Sequence, residues 1–436
     1  MNPIFYLLVL VLIVVQFRLP RCYAAAPLLI AACHFQNVPV LSLGANFDTA
    51  KLVILAGLIR AAREKLIRFS WQHPLDRLVM LWAGWMAICG FFHNPPDHNP
   101  VTIRLSQLYG VVGSYMYARA FLRSPEDYHN YIKCLVAIIT PLALMAVYEK
   151  LAQSNLYGVL GSGSGTVTIR SGRVRAAGPF SHPILLGTFA ATSSVLVWPL
   201  LRTARRWAIV GLGACVVIVL SCASSGPIMT IASAIMAMML WRWRTSVGKI
   251  RAAVIGVFVL LHLAMQAPVW YLMARIDLAG GSTGWHRAEL ITAALNHLGE
   301  WWMTGTDYTR HWIAYGIDWS AYHTDITNHY IAMGVTGGLP LMLLFIGIML
   351  KGFQMLGRRM RQLRQARDPL EFTLWSVGAS LFAHCFTFLS ISYFDQSTVP
   401  HMLVIGALPG LCLNRIVRVA PSFENPATSG KIPDPA

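Results

Sequence analysis

Charged residues are scarce in this chain. Only 12% of its 436 residues are Asp, Glu, Lys or Arg, while 56% are hydrophobic and the mean hydropathy is +0.54. Soluble domains usually carry about 25% charged residues. Apolar runs of about 17–25 residues, the length that a bilayer-spanning helix requires, recur from end to end. The composition therefore excludes an ordinary soluble domain and predicts an all-α, polytopic integral membrane protein.

Several functional signatures are missing as well. Carboxylates are almost excluded from the apolar runs, with Glu149 and Glu371 lying at their ends, whereas ion-coupled transporters usually place them within the spans. The sequence contains no Walker A motif, no GxGxxG motif and no GxSxG nucleophile elbow. Its eight cysteines are scattered without a CxxC pair, which predicts neither a disulfide framework nor a metal site. No cofactor is expected.

The apolar segments predict about 12–13 transmembrane helices. The second segment is interrupted at 36–39 by Gln-Asn-Val-Pro and the third is short, so the count varies by one or two. No basic residue precedes the first segment, which favours a retained helix over a cleaved signal, although YAAA at 23–26 resembles a cleavage site. The predicted segments are 3–17, 24–44, 49–62, 75–92, 102–121, 129–150, 181–201, 207–222, 225–241, 251–273, 329–350, 372–392 and 398–414.

The basic residues indicate the orientation of the chain. Its formal net charge is +17, and loops rich in Lys and Arg alternate with loops that contain neither. Basic loops face the cytoplasm and contact anionic lipid, so membrane lipid rather than nucleic acid is the expected partner. The C-terminus is then cytoplasmic, and the N-terminus is outside with 13 spans or inside with 12. The basic loops are 18–21, 60–68, 119–123, 202–206, 242–251, 351–367 and 415–418.

Two long polar segments, 151–180 and 274–328, fall on the outer side. The second is rich in tryptophan, and apolar residues at helical spacing within 284–302 predict a short amphipathic helix. Loops of this length with many aromatic residues are typical of function rather than disorder. Residues 1–418 are thus expected to form a single membrane domain, followed by a disordered Pro/Ser-rich tail at 419–436.

The first outer segment carries three arginines before an apolar helix. Arg170, Arg173 and Arg175 precede the Ser-His-Pro at 181–183 that opens this helix. Guanidinium groups match phosphate geometry, and a helix start favours anions. Arg175 is nearest to the helix and is the candidate phosphate ligand. Arg170 and Arg173 are interpreted as loop residues beside lipid headgroups, and His182 as an interfacial or helix-start residue.

The second outer segment holds the other candidate residues. Arg287 lies at the start of the predicted amphipathic helix. A cation at a helix N-terminus mildly destabilises the helix, so this arginine is expected to have a role other than helix stability. His323 and His329 are candidate general bases, because imidazole titrates near neutral pH. Asp325 would orient a histidine or cap the following turn. The spacing of these three residues is unlike that of a metal site, so no metal is predicted.

The order of these motifs resembles a known family. An arginine precedes G-P-F-x-H-P-x-x-x-G at the start of a mid-chain span, and a short S-S-G turn follows two spans later. A long outer loop begins G-x-x-R-x-x-L-I-x-A-A-L and ends T-N-H-Y-I before GGLPLMLLF. This pattern resembles the O-antigen ligase and O-antigen polymerase superfamily, which includes exopolysaccharide polymerases. The layout matches over residues 100–415, and the motifs match within 172–190, 284–300 and 323–345.

The resemblance implies a function. Members are metal-independent glycosyltransferases of the bacterial inner membrane that act at the periplasmic face. Their donor is a glycan on undecaprenyl pyrophosphate. The acceptor is a sugar hydroxyl, on lipid A core for ligases and on another lipid-linked glycan for polymerases. A chain-length regulator is a further partner expected for a polymerase.

By position, Arg175 and Arg287 match the family's pyrophosphate-binding arginines, and His329 approximates its loop histidine, with His323 as the alternative. The match is incomplete, because N-H-Y-I stands where members often show H-N-x-Y-L, and the glutamate that follows in the family is replaced at 335–336. This departure favours a divergent polymerase over a standard O-antigen ligase, although the sequence does not separate the two.

A polysaccharide-repeat flippase or another transporter is the alternative function, since many spans and basic loops suit it equally. A transporter is expected to have matched halves and cations along a central cavity. The sequence shows no internal symmetry, and its polar residues lie in the outer loops.

Overall fold

The computed structural model is built mainly of α-helices. It describes residues 3–36, 38–42, 46–67, 69–95, 99–159, 165–275, 284–313 and 320–413, so the tail predicted at 419–436 lies outside the described residues. The helices are α1 (Pro3–Arg18), α2 (Ala26–His34), α3 (Thr49–Arg63), α4 (Pro74–Cys89), α5 (Pro100–Phe121), α6 (Pro125–Ala152), α7 (Leu156–Val159), α8 (Pro183–Val197), α9 (Leu200–Thr203), α10 (Arg205–Ser221), α11 (Ser225–Met239), α12 (Val247–Ala264), α13 (Gly284–Asn296), α14 (Leu298–Trp301), α15 (His329–Gln365), α16 (Leu370–Thr387) and α17 (Thr398–Leu413). Two antiparallel hairpins pair β1 (Leu41–Ser42) with β2 (Asn46–Phe47), and β3 (Thr168–Arg170) with β4 (Arg173–Arg175).

Every predicted apolar segment contains a helix, although the segment 24–44 is helical only over α2 and then turns into the first hairpin. Within the described residues, four helical stretches are long and apolar enough to cross a membrane: α6, α12, α15 and Asp395–Leu413, which ends in α17. Shorter apolar helices include α1 and α8. These helices indicate a membrane protein.

Helix α8 lies at the centre of the helical bundle. All of its residues except Ile184 are buried, and it packs against α6, α10, α11 and α16. Helix α12 is the opposite case, because none of its residues is buried. The segment that leads into α8 therefore ends in the middle of the protein rather than at its edge.

Polar contacts join the helices around α8. The hydroxyl oxygens of Thr230 in α11 and Thr387 in α16 lie 2.8 Å apart, and Ser380 Oγ of α16 donates to the carbonyl oxygen of Thr192 in α8 at 2.9 Å. Helices in lipid gain little from hydrophobic burial against each other, so packing and contacts of this kind, worth about 0.6–2 kcal/mol each, associate them.

A buried ion pair joins α4 to α5. The side chain of Asp76 is fully buried and accepts hydrogen bonds from Arg119 at 3.0 and 2.9 Å, and also from the hydroxyl of Tyr115. A buried carboxylate is tolerated only when it is paired and hydrogen-bonded in this way. The pair fixes the relative position of the two helices that form one wall of the cavity described below.

Helix α15 is broken near its start. Asn328 caps it by accepting the N–H groups of Tyr330 at 3.0 Å and Ile331 at 3.2 Å. Gly337 and Gly338 then leave helical geometry, and Gly338 has φ +74°. At this break the backbone of 302–303 passes so close to Gly338 that a Cβ would overlap the carbonyl oxygen of Met303. The break thus docks the outer segment that follows α14 directly onto α15.

Replacing Gly338 with alanine tests this docking. The positive φ alone costs a non-glycine residue about 1–3 kcal/mol, and the overlap with Met303 adds to that cost. We expect Gly338→Ala to lower the melting temperature of the detergent-solubilised protein by several degrees. The control is Gly357→Ala in the same helix, where a Cβ meets no described atom within 4 Å. That change should be neutral or stabilise by up to about 1 kcal/mol. Equal melting temperatures for the two variants would contradict the docking.

Candidate functional site

A cavity of about 1040 Å³ lies among the described residues. Its lining comes from α3, α4 and α5, from the start of α8, from the segment 323–327, from the start of α15 and from the segment 390–396. Clefts of this size are typical of ligand sites. The two outer segments singled out in the sequence therefore contribute to the same cavity.

The arginines of the first outer segment lie on the β3–β4 hairpin. Arg170 pairs with Arg173 and Thr168 with Arg175 across the two strands. The connecting residues Ser171 and Gly172 have φ +50° and +70°, as tight hairpin turns require. Residues that face each other, or that are two apart on one strand, lie on the same side of a hairpin. The pairing therefore places all three arginines on one face.

The end of this hairpin is tied to the helices. The carboxylate of Glu149 in α6 accepts the N–H groups of Ala177 at 3.0 Å and Gly178 at 2.8 Å. The Nε–H of Arg175 points to the carbonyl oxygen of Cys222, at 3.4 Å, in the turn between α10 and α11. Arg175 is only 5% exposed, and burial lowers its pKa, with a further decrease from nearby Arg170.

The predicted and observed positions of these arginines differ. Arg175, the predicted phosphate ligand, is not among the described residues that line the cavity, whereas Arg170, interpreted above as a loop residue, does line it. The reason is the hairpin, which buries the end of β4 against the helices and leaves the end of β3 beside the cavity.

Arg287 lies in the first turn of α13 and lines the cavity. Burial lowers its pKa, nearby Asp325 opposes that decrease, and Arg170 adds to it. Its Nε–H is buried and has no hydrogen-bond partner among the described residues. Arg170 thus lies within electrostatic reach of both Arg175 and Arg287, and the two outer segments bring their cations together.

His182 also lines the cavity, immediately before α8. Its Nδ1 accepts the N–H of Ile184 at 3.1 Å and so caps the helix. Burial lowers its pKa to about 4, with smaller decreases from Arg175 and Arg170. The ring is therefore neutral at pH 7 and carries its proton on Nε2. His182 can donate a hydrogen bond to an anion, a role that the sequence analysis did not assign to it.

His329 lines the deeper part of the cavity and is 7% exposed. Its ring packs against Phe388 and Phe345, with centroid distances of 4.8 and 5.1 Å, and its Nδ1 accepts the N–H of Tyr393 at 3.2 Å. With Nδ1 occupied, the neutral ring carries its proton on Nε2. This geometry suits a hydrogen-bond donor and leaves no free lone pair for the general-base role that the sequence suggested for His329.

His323 and Asp325 remain as cavity residues that can accept a proton. Asp325 faces the cavity beside Arg287 and His286, and its backbone oxygen accepts from His286 Nε2 at 3.2 Å. Burial raises the pKa of the Asp325 carboxyl, while the charges of His286 and Arg287 lower it. His323, two residues earlier, has its backbone N–H bonded to Ser320 Oγ at 3.0 Å.

The walls of the cavity carry several buried polar atoms that lack a partner among the described residues. Such atoms are uncommon in folded proteins and are normally bonded to water or ligand. Besides Arg287 Nε, they are Thr324 Oγ1, Thr327 Oγ1, Gln396 Oε1 and His401 Nε2. The residues that line the cavity therefore include polar groups whose hydrogen-bonding capacity is not used within the described part of the chain.

Arg170 and His182 are two cavity residues that the sequence analysis discussed but did not assign to the site. The signal for Arg170 was the Ser171-Gly172 pair between two arginines, which is a hairpin turn sequence. The signal for His182 was its position before Pro183, where a side chain that caps a helix is expected.

Thiol labelling tests the exposure of the cavity residues. In a background with the native cysteines replaced, we expect a hydrophilic maleimide to modify His323→Cys in the detergent-solubilised protein, because residue 323 lines the cavity. His384→Cys, at a position only 4% exposed, is the matched control and should react at least about tenfold more slowly. Equal protection of the two positions would contradict the placement of His323.

No known protein-family model matches this chain, and no curated protein matches it. The function must therefore be inferred from the cavity itself.

Proposed function

We propose that the protein transfers or polymerises an undecaprenyl-pyrophosphate-linked glycan onto a sugar hydroxyl at the periplasmic face of the bacterial inner membrane. One observation carries the proposal: Arg170 and Arg287, from separate outer segments, line one cavity together with His323 and Asp325. Two guanidinium groups and the Nε2–H of His182 match the charge and the acceptor oxygens of a diphosphate.

The rest of the cavity suits a lipid-linked donor. The wall formed by α3, α4 and α5 includes the apolar side chains of Ile54, Trp82, Met86 and Ile103, beside the polar Lys51, Ser106 and Gln107. A prenyl chain would lie along this wall while its diphosphate contacts the arginines. The apolar lining residues thus suit the prenyl chain of the carrier, and the arginines suit its diphosphate.

The proposed reaction breaks one bond and forms one. The acceptor hydroxyl oxygen bonds to the anomeric carbon of the donor sugar, and the bond from that carbon to the diphosphate oxygen breaks. The electron pair of that bond leaves on the diphosphate, where Arg170 and Arg287 stabilise the negative charge. The hydroxyl proton passes to His323, which then releases it to solvent.

The proposal includes the membrane arrangement inferred from the sequence, with 12–13 spans and the segments 151–180 and 274–328 on the periplasmic side. The acceptor is lipid A core for a ligase or a second lipid-linked glycan for a polymerase, which would work with a chain-length regulator. Catalysis uses no metal ion in this proposal, because the arginines neutralise the leaving diphosphate.

Removing a cavity arginine should abolish transfer. In a reconstituted assay with purified lipid-linked glycan, we expect Arg287→Ala and Arg170→Ala each to lower the rate by about 100-fold or more, as loss of a charge-stabilising donor does. Arg287→Lys should recover part of the rate because it keeps the positive charge. Recovery should be incomplete because lysine lacks the planar pair of N–H donors that binds a phosphate at two points. The control is Arg173→Ala, an exposed arginine of the same hairpin that is outside the cavity lining. Wild-type rates in both cavity variants would refute the proposal.

The same assay separates transfer from transport. An enzyme forms a new glycosidic bond in detergent, where no two sides of a membrane exist. A flippase moves labelled lipid across vesicles and forms no product in detergent. Translocation without any product would replace the proposal with the transport alternative.

The role of His323 predicts a different kinetic signature. We expect His323→Asn to lower kcat by about 10²–10⁴-fold, the usual contribution of a general base, with the KM for the donor changed only a few-fold. The acidic limb of the pH–rate profile should disappear in this variant. His129→Asn, which changes a histidine of α6 outside the cavity, is the control. A large rise in KM at unchanged kcat would assign His323 to binding instead.

A further inference from the structure

Three metal-ligating side chains meet outside the cavity, on the second outer segment. The carboxylate oxygen Oε1 of Glu300 lies 2.7 Å from His297 Nδ1 and 3.0 Å from His311 Nε2. The three ligand atoms all lie within 4.8 Å of one another. His297 and Glu300 are on either side of the start of α14, and His311 is in the 3₁₀ turn Arg310–Trp312. None of the three lines the cavity.

Neighbouring aromatic side chains hold these ligands in place. Trp312 donates from Nε1 to the second oxygen of Glu300 at 3.0 Å and stacks on the ring of His297, with centroids 5.8 Å apart and an angle of 8°. Tyr308 stacks on His311 at 5.0 Å and 11°. Supporting contacts of this kind orient metal ligands and are a regular part of metal sites.

The cluster is open to solvent, since its three side chains are between 30% and 39% exposed. A cation can therefore reach an anionic oxygen flanked by two imidazoles.

We propose that His297, Glu300 and His311 bind a divalent transition-metal ion, Zn²⁺ first among them. Two imidazoles and one carboxylate form a common three-ligand set for Zn²⁺, with water in the fourth position. Neither a thiolate, which would favour copper(I), nor the oxygen-only set that Mg²⁺ and Ca²⁺ prefer is present in the cluster. The two histidine nitrogens need only turn from the carboxylate oxygen toward a shared ion.

The position of the cluster indicates a structural role. It joins the C-terminal end of α13 to the 3₁₀ turn at His311. Arg287 lies in the first turn of the same helix. The 3₁₀ turn is bonded to the segment that carries His323, because the N–H groups of Thr309 and Arg310 donate to the carbonyl oxygen of Tyr322 at 2.9 and 3.0 Å. A bound ion would therefore fix two cavity segments relative to each other without entering the cavity. The metal site goes beyond the proposed transferase activity and does not depend on it.

Metal titration of the purified full-length protein tests the proposal. The protein carries a tag without histidines, is treated with chelator, and is then titrated with ZnCl₂ by calorimetry and with CoCl₂ by visible absorption. We expect saturation at one Zn²⁺ per chain, and the intense visible bands of tetrahedral Co²⁺, which Zn²⁺ then displaces.

Variants assign the binding to the cluster. His311→Ala and Glu300→Gln each remove one ligand and should weaken Zn²⁺ binding by more than about 100-fold, beyond the loss seen for supporting residues. Glu300→Gln keeps an oxygen that can accept from the histidines, so its fold is retained even if His311→Ala does not fold. His129→Ala should bind like the wild type. Absence of saturable binding in the wild type, or unchanged affinity in Glu300→Gln, would overturn the proposal and leave only a hydrogen-bonded cluster.

Discussion

The carboxylate of Glu149 is the contact on which the position of the arginine hairpin depends. It lies near the C-terminal end of α6 and accepts the buried N–H groups of Ala177 and Gly178. Hydrogen bonds to a charged acceptor are roughly twice as strong as neutral ones. Without the carboxylate, two buried donors would lose their partner, which costs about 1–3 kcal/mol each. Because β4 ends at Arg175, just before these residues, this one side chain determines where the hairpin meets the cavity.

Mutual repulsion of the cavity cations is the second constraint. Besides burial, Arg170 lowers the pKa of Arg287, which shares the cavity, and of Arg175 on the same hairpin, so these cations act on one another. Such interactions are stronger in a partly desolvated cavity than in water. The fold holds the cations together through backbone anchors rather than through mutual attraction. An anion with two charges would relieve the repulsion, and the arginines would need little rearrangement to bind it.

The sequence predicted the helices of this protein better than the contacts between distant segments. The apolar segments and the first residues of α13 follow local rules of hydropathy and periodicity, so the helices and Arg287 could be found directly. Arg170, His182 and His329 depended on partners that no local pattern specifies. Arg170 lies beside Arg287 only because the hairpin is tied to α6, and the donor role of His329 comes from the N–H of Tyr393 on a distant segment. Hydrogen-bond partners far apart in the chain are what single-sequence reasoning lacks.

Helix α12 is linked, through the segment that follows it, to the helix that carries Arg287. None of its residues is buried, and its described neighbour is the 3₁₀ segment Val269–Arg275, which packs in turn against α13. In a bilayer, the exposed apolar side chains of α12 would contact lipid rather than protein. A helix of 18 residues is about 27 Å long, slightly shorter than a typical hydrocarbon core of about 30 Å. Changes in membrane thickness would displace α12 and pull on the helix that carries Arg287, which makes acyl-chain length a physical input to the geometry of the cavity.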